Sequence, residues 1–117
     1  MTPEARWDIY LADLEPVSGS EQGGRRPVLV VSNNDFNNVM PVVTVLPITS
    51  LKPGRRIHPT EILIKKGISM LDVDSLVLTY QIRTITKKRI FKLIGKIEER
   101  EKQQEVETAL KLHLGLE

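Results

Sequence analysis

A chain of 117 residues with no cysteine and a formal net charge of +2 has room for one core and one site, and excludes disulfides and thiolate metal centres. The first residues carry Glu4, Arg6 and Asp8 with no apolar stretch, and no apolar run reaches membrane-spanning length. A soluble, unexported, cytoplasmic single domain over residues 1–117 is therefore expected, with no membrane contact.

In chain order, residues 7–14 (WDIYLADL) alternate well enough for a first strand, which Glu15-Pro16 ends. A polar, glycine-bearing loop follows, Gly19-Ser20-Glu21-Gln22-Gly23-Gly24-Arg25-Arg26. Residues 27–32 (PVLVVS) are almost continuously apolar and β-branched, which suits a strand covered on both faces. Asn33-Asn34-Asp35 supplies N-cap chemistry for a short helical turn near Phe36. Residues 42–49 (VVTVLPIT) read as a further strand, and Pro47 inside it argues for an edge or a bulge. Three more strands are expected at residues 60–64, 75–85 and 89–97. Near the end the period changes. Val106, Ala109, Leu110 and His113 fall at i, i+3, i+4 and i+7, with Gly115 where a C-cap belongs. This predicts a helix of about four turns packed on the sheet, with His113 on its half-buried face. The expected fold is mainly β (α+β): a small, strongly bent antiparallel barrel with short helices and a C-terminal amphipathic helix.

Charge is unevenly placed: residues 83–96 hold six basic side chains and no acidic one, a pattern that fits a solvated face as well as a polyanion site. The two histidines, His58 and His113, are far apart, and neither HExxH nor DxDxDG occurs, so no metal site and no cofactor is expected. Gly19, Gly23 and Gly24 match neither GxGxxG nor GxxxxGK, and turn formation alone accounts for them. Their neighbours add more. Gly23-Gly24 lets backbone approach a ligand, and Ser20, Glu21 and Gln22 offer polar groups. Arg26, restricted by Pro27, presents a planar fork of donors suited to a phosphodiester. A pre-proline arginine at a strand start is also an ordinary structural feature.

Four stretches together carry a resemblance: Asp8-Ile9-Tyr10 with Asp13-Leu14-Glu15-Pro16, the loop from Gly19 through Arg26-Pro27 to Val30, Pro47-Ile48-Thr49-Ser50, and Gln81-Ile82-Arg83-Thr84-Ile85. They resemble the MazF and PemK/Kid family of toxin endoribonucleases from type II toxin–antitoxin modules, over nearly the whole chain. The resemblance implies an SH3-like barrel, a homodimer, and metal-free cleavage of single-stranded RNA by 2′-hydroxyl attack. It also implies a cognate MazE-like antitoxin whose disordered segment blocks the RNA groove. Matched by position, the catalytic arginine falls on Arg26 and the catalytic threonine on Thr49, while Arg25 occupies a variable place. Ser20, Glu21, Gln22, Gly24, Ser50 and Gln81 match the substrate-binding groove. Tyr80 departs from the pattern, since some members carry an acidic residue before the glutamine. The carboxylate base is thereby missing from that position, and a stacking or sheet-filling role is open to the tyrosine. Two other readings share the fold: a CcdB-like toxin that grips gyrase, and a homologue that binds RNA without turnover.

Overall fold

A computed structural model of the chain describes residues 4–67, 69 and 71–117. β1 (Asp8–Asp13), β2 (Arg25–Val30) and β3 (Val42–Ser50) are followed by β4 (Glu61–Ile64), β5 (Ser75–Leu78), β6 (Arg83–Thr86) and β7 (Ile90–Lys96). Helix α1 (Asn34–Val39) joins β2 to β3, and α2 (Arg100–Leu114) ends the chain. All pairings are antiparallel, in the order β4-β5-β3-β2-β1-β7, and β6 pairs with β3 off this path. The mainly antiparallel architecture with short helices and a terminal helix is the one expected.

The run at 27–31 is apolar throughout because both faces of the central strands are covered. Ile9, Leu29, Leu46 and Ile48 face one core, which Val106 and Ala109 of α2 complete. Tyr10, Ala12, Val28, Val30, Val43, Val45 and Ile85 face the other. The period of two along each strand thus feeds two cores, and each fully buried aliphatic side chain contributes about 1.5–3 kcal/mol. α1 starts at Asn33, whose side chain accepts from the Phe36 N–H at 2.8 Å. α2 ends at Gly115, with φ 71° and the Leu116 N–H on the Lys111 carbonyl at 2.8 Å.

Three expectations are corrected. β3 is an unbroken interior strand despite Pro47. The Thr44 N–H and C=O both face β2, bonding Ser32 Oγ and the Val31 N–H, so Pro47, three residues on, faces the opposite side. There β6 covers Val42–Val45 and β5 takes over at Ile48. The proline sits at that changeover, where no ladder bond needs its missing N–H. The strand expected at 75–85 is two strands with a 3-10 turn, Thr79–Gln81, between them. Buried Thr79 directs both its N–H and its hydroxyl to the Thr60 carbonyl, which turns the chain out of the sheet. His113 is exposed rather than half-buried, because the last turn of α2 runs past the core reached by Val106 and Ala109.

Candidate active site

The register that pairs Val28 with Pro47, carried two residues further, sets Arg26 of β2 opposite Thr49 of β3. Arg26 Nε donates to the Gly23 carbonyl at 2.8 Å, and Nη1 donates to Thr49 Oγ1 at 3.5 Å. Tying Nε to the loop fixes the guanidinium plane, so its Nη edge is presented beside the threonine hydroxyl. Both side chains line a cleft of 810 Å³ together with Gln22, Ser50, Arg25 and Lys52. The arrangement offers a fixed cation and a hydroxyl to one small anionic group.

The loop between β1 and β2 is built to hold that carbonyl still. Glu15 Oε2 accepts from the Gly24 N–H, and the Leu14 N–H donates to the Gly24 carbonyl at 3.0 Å. A Cβ on Gly23 would lie 2.3 Å from that Glu15 oxygen and 2.7 Å from Val17 Cγ2, so glycine is the residue that fits. Gly24 itself has φ 70°. That left-handed conformation, which glycine adopts without steric cost, makes it a pivot of the loop. Beneath, Arg83 donates to the Leu14 carbonyl at 3.1 Å, and Arg89 donates to those of Asp13 and Glu15. Lys87 donates to the Asn37 carbonyl, so three of the six charges in the basic stretch are structural anchors, while Lys88, Lys92 and Lys96 are exposed.

Ser20, Glu21, Gln22 and Gln81 come together in a neighbouring hollow of 320 Å³, which shares Gln22 with the cleft. The Gln81 amide joins turn to loop, accepting from the Gln22 N–H at 2.7 Å and donating to the Ser20 carbonyl at 3.3 Å. Glu21 turns inward on its own loop, accepting from the Ser18 N–H and hydroxyl at 3.1 Å each. Arg26, Thr49, Ser50 and Gln22 thus share one cavity, with Ser20, Glu21 and Gln81 adjoining it. Sequence reasoning missed Lys52, Asp72, Ser75 and Ile94 as cleft walls. They come from segments with no local motif, and only the strand order brings them here. Among the described residues no three His, Cys, Asp or Glu side chains gather as a metal site.

Tyr80 lines the Ser20–Gln81 hollow as well, and caps a buried carboxylate beyond it. Its hydroxyl donates to Glu61 Oε2 at 3.2 Å, at the edge of a third hollow that also holds Arg55, His58 and His113. Glu61, with its side chain 2% exposed, receives Arg55 on both oxygens at 2.8 Å and the His58 N–H at 2.8 Å. The Arg55 hydrogen bonds, opposed by burial and aided by the His58 N–H and the Tyr80 hydroxyl, hold the carboxyl down at about 2. Because the folded value is depressed, the ionised form adds stability in full above the ordinary value of 4.5, and this is lost as pH falls through about 2. Glu61→Gln is expected to lower unfolding stability by about 2 kcal/mol at neutral pH. Urea titrations should then show the two proteins converging as pH falls toward 2. Equal stabilities at neutral pH would refute this role.

Comparison with known proteins follows the same lines. The family profile described as PemK-like, MazF-like toxin of type II toxin-antitoxin system matches residues 5–114. The fold superimposes on MazF from Deinococcus radiodurans with a TM-score of 0.83, at 26% identity over 99% of this chain and 100% of that one. An endoribonuclease in complex with its cognate antitoxin, from a mycobacterial species, gives 0.79 at 26% identity over 97% of each chain. The MazE–MazF structure from Deinococcus radiodurans gives 0.76 over 100% of both chains; at 21% identity it shows the fold alone.

Proposed function

The chain belongs to the PemK-like, MazF-like family of type II toxin–antitoxin toxins, and from that membership we propose that it cuts single-stranded RNA at specific sequences without a metal ion. The observation that carries the reading is the Arg26–Thr49 pair, held at 3.5 Å across β2 and β3 at the floor of the cleft. In this chemistry the ribose 2′-hydroxyl loses its proton and attacks the adjacent phosphorus, while the 5′-oxygen of the next nucleotide leaves and takes up a proton. The products are a 2′,3′-cyclic phosphate and a 5′-hydroxyl. Negative charge grows on the non-bridging oxygens as the new bond forms. Arg26 neutralises it through its Nη donors, and the Thr49 hydroxyl donates to the same oxygens. Gln22 and Ser50 bind the flanking strand, with Ser20, Glu21 and Gln81 in the adjoining hollow. Cutting mRNA in this way blocks translation and growth.

The test is to incubate the purified protein with a long single-stranded RNA in excess chelator and to map the new 5′ ends. Discrete cuts bearing 5′-hydroxyls are expected, and intact RNA across several long substrates would refute the reading. A MazE-like antitoxin is the proposed protein partner, supported by the relative solved with its cognate antitoxin. A homodimer is proposed as the working form. Leu112 and Leu116 stand 62% and 61% exposed at the end of α2, apolar side chains that a second copy would cover. Sedimentation of the wild type at twice the chain mass, and of Leu112→Asp/Leu116→Asp at the chain mass, is the expected result. A monomeric wild type would contradict it.

A further inference from the structure

Arg25, on the wall of the cleft, and Phe91, against which it lies, have no part in the chemistry above. β7 pairs with β1 through two irregularities: Leu11 faces Lys92 and Ala12 faces Ile90, leaving Phe91 extra, while Tyr10 faces Leu93 and Ile9 faces Gly95, leaving Ile94 extra. Bulges of this kind re-aim side chains that a regular strand would point elsewhere. Ile94 lines the Arg26–Thr49 cleft. Phe91, 49% exposed, lies with its ring centroid 4.3 Å from the guanidinium carbon of Arg25. Arg25 lines the same cleft as Arg26 and is itself exposed.

The chain has only five aromatic residues. Leaving one half in water on an edge strand forfeits burial energy that a core position would gain. Stacked with a guanidinium it forms a flat, cationic, polarisable surface. Unpaired RNA presents the matching chemistry, a planar base next to a phosphate, and base stacking on aromatic and arginine planes is how proteins hold single strands. Exposed Lys92, the residue after Phe91, adds positive charge on the same strand. An acidic peptide would satisfy the charges but leave the ring without a planar partner.

We infer that the Arg25–Phe91 stack is a platform for one nucleobase of the RNA, adjacent to the phosphate held by Arg26 and Thr49. The inference rests on the nuclease reading of the cleft and adds a determinant of which strand is gripped. Because stacking strength grows with ring area, the platform favours a purine there.

A labelled 2′-O-methyl RNA of mixed sequence, which lacks the attacking hydroxyl, separates binding from cutting when its affinity is read by fluorescence anisotropy. Phe91→Leu, apolar but without a π face, is expected to bind about tenfold more weakly, the loss of roughly one stacked base. Phe91→Tyr should bind like the wild type, which excludes a mere packing defect. Arg25→Ala should lose a similar factor and also flatten the salt dependence, which Phe91→Leu leaves unchanged. The double variant should lose little more than either single one, because the two side chains act as one unit. Wild-type affinity in Phe91→Leu overturns the platform, and discrete cutting of ordinary RNA by the wild type would then leave the nuclease reading standing. Phe91-dependent binding by a wild type that cuts nothing supports the platform and overturns the nuclease reading. No binding of the 2′-O-methyl RNA by the wild type overturns the platform.

Discussion

Arg26→Ala should cut single-stranded RNA about a hundredfold to a thousandfold more slowly than the wild type, the loss expected from removing one fixed donor to developing charge. The side chain makes its two hydrogen bonds at the site, to Gly23 and Thr49, while its backbone is held independently opposite Ala12. Alanine therefore removes the donor fork and leaves the β1–β2 ladder. Circular dichroism and thermal unfolding should stay close to wild type while the single-turnover rate collapses. Arg26→Lys should recover only part of the rate, since a point charge lacks the planar fork that Gly23 orients. A near-wild-type rate in Arg26→Ala would remove the residue from the mechanism.

Thr49→Ala carries the second largest expected effect, a loss of about a hundredfold. The residue pairs with Leu76 through its backbone, and its hydroxyl is the acceptor for Arg26 Nη1. Deleting the hydroxyl removes a donor to the phosphate and the weaker of the two hydrogen bonds that place the arginine. Thr49→Ser should retain most activity, which distinguishes loss of the hydroxyl from loss of the methyl group. The Arg26→Ala/Thr49→Ala double variant should be little slower than Arg26→Ala alone, because the two groups act as one clamp. Strict multiplication of the two losses would show that they work independently.

Much of this was legible in the residues. The almost continuous apolar run at 27–32 announced a strand covered on both faces, and Asn33 and Gly115 marked helix ends by chemistry that acts within a few residues. The failures share one cause: a partner distant in sequence. Residues 75–85 contain no glycine or proline, and the strand breaks because the Thr60 carbonyl captures Thr79. Pro47 looked disqualifying for a central strand until the changeover from β6 to β5 left its position without a ladder bond. His113 obeys the helical period but extends beyond the core the helix covers. At the site, Arg26 and Thr49 came from resemblance to a family, while their juxtaposition follows from register. Arg25 was set aside as a variable position, and its stack on Phe91 depends on a bulge in β7 that no local pattern signals.

The central claim is that the Arg26–Thr49 clamp supports attack by the ribose 2′-hydroxyl on the neighbouring phosphate. Once the cut position is mapped, a short RNA carrying a single 2′-deoxy nucleotide on the 5′ side of that phosphate tests it most directly. Complete resistance of this oligonucleotide, with the same substitution tolerated one nucleotide away, is the predicted result. Cleavage of the deoxy-substituted bond at the ordinary rate would mean that water attacks directly, and the mechanism built on the clamp would be wrong.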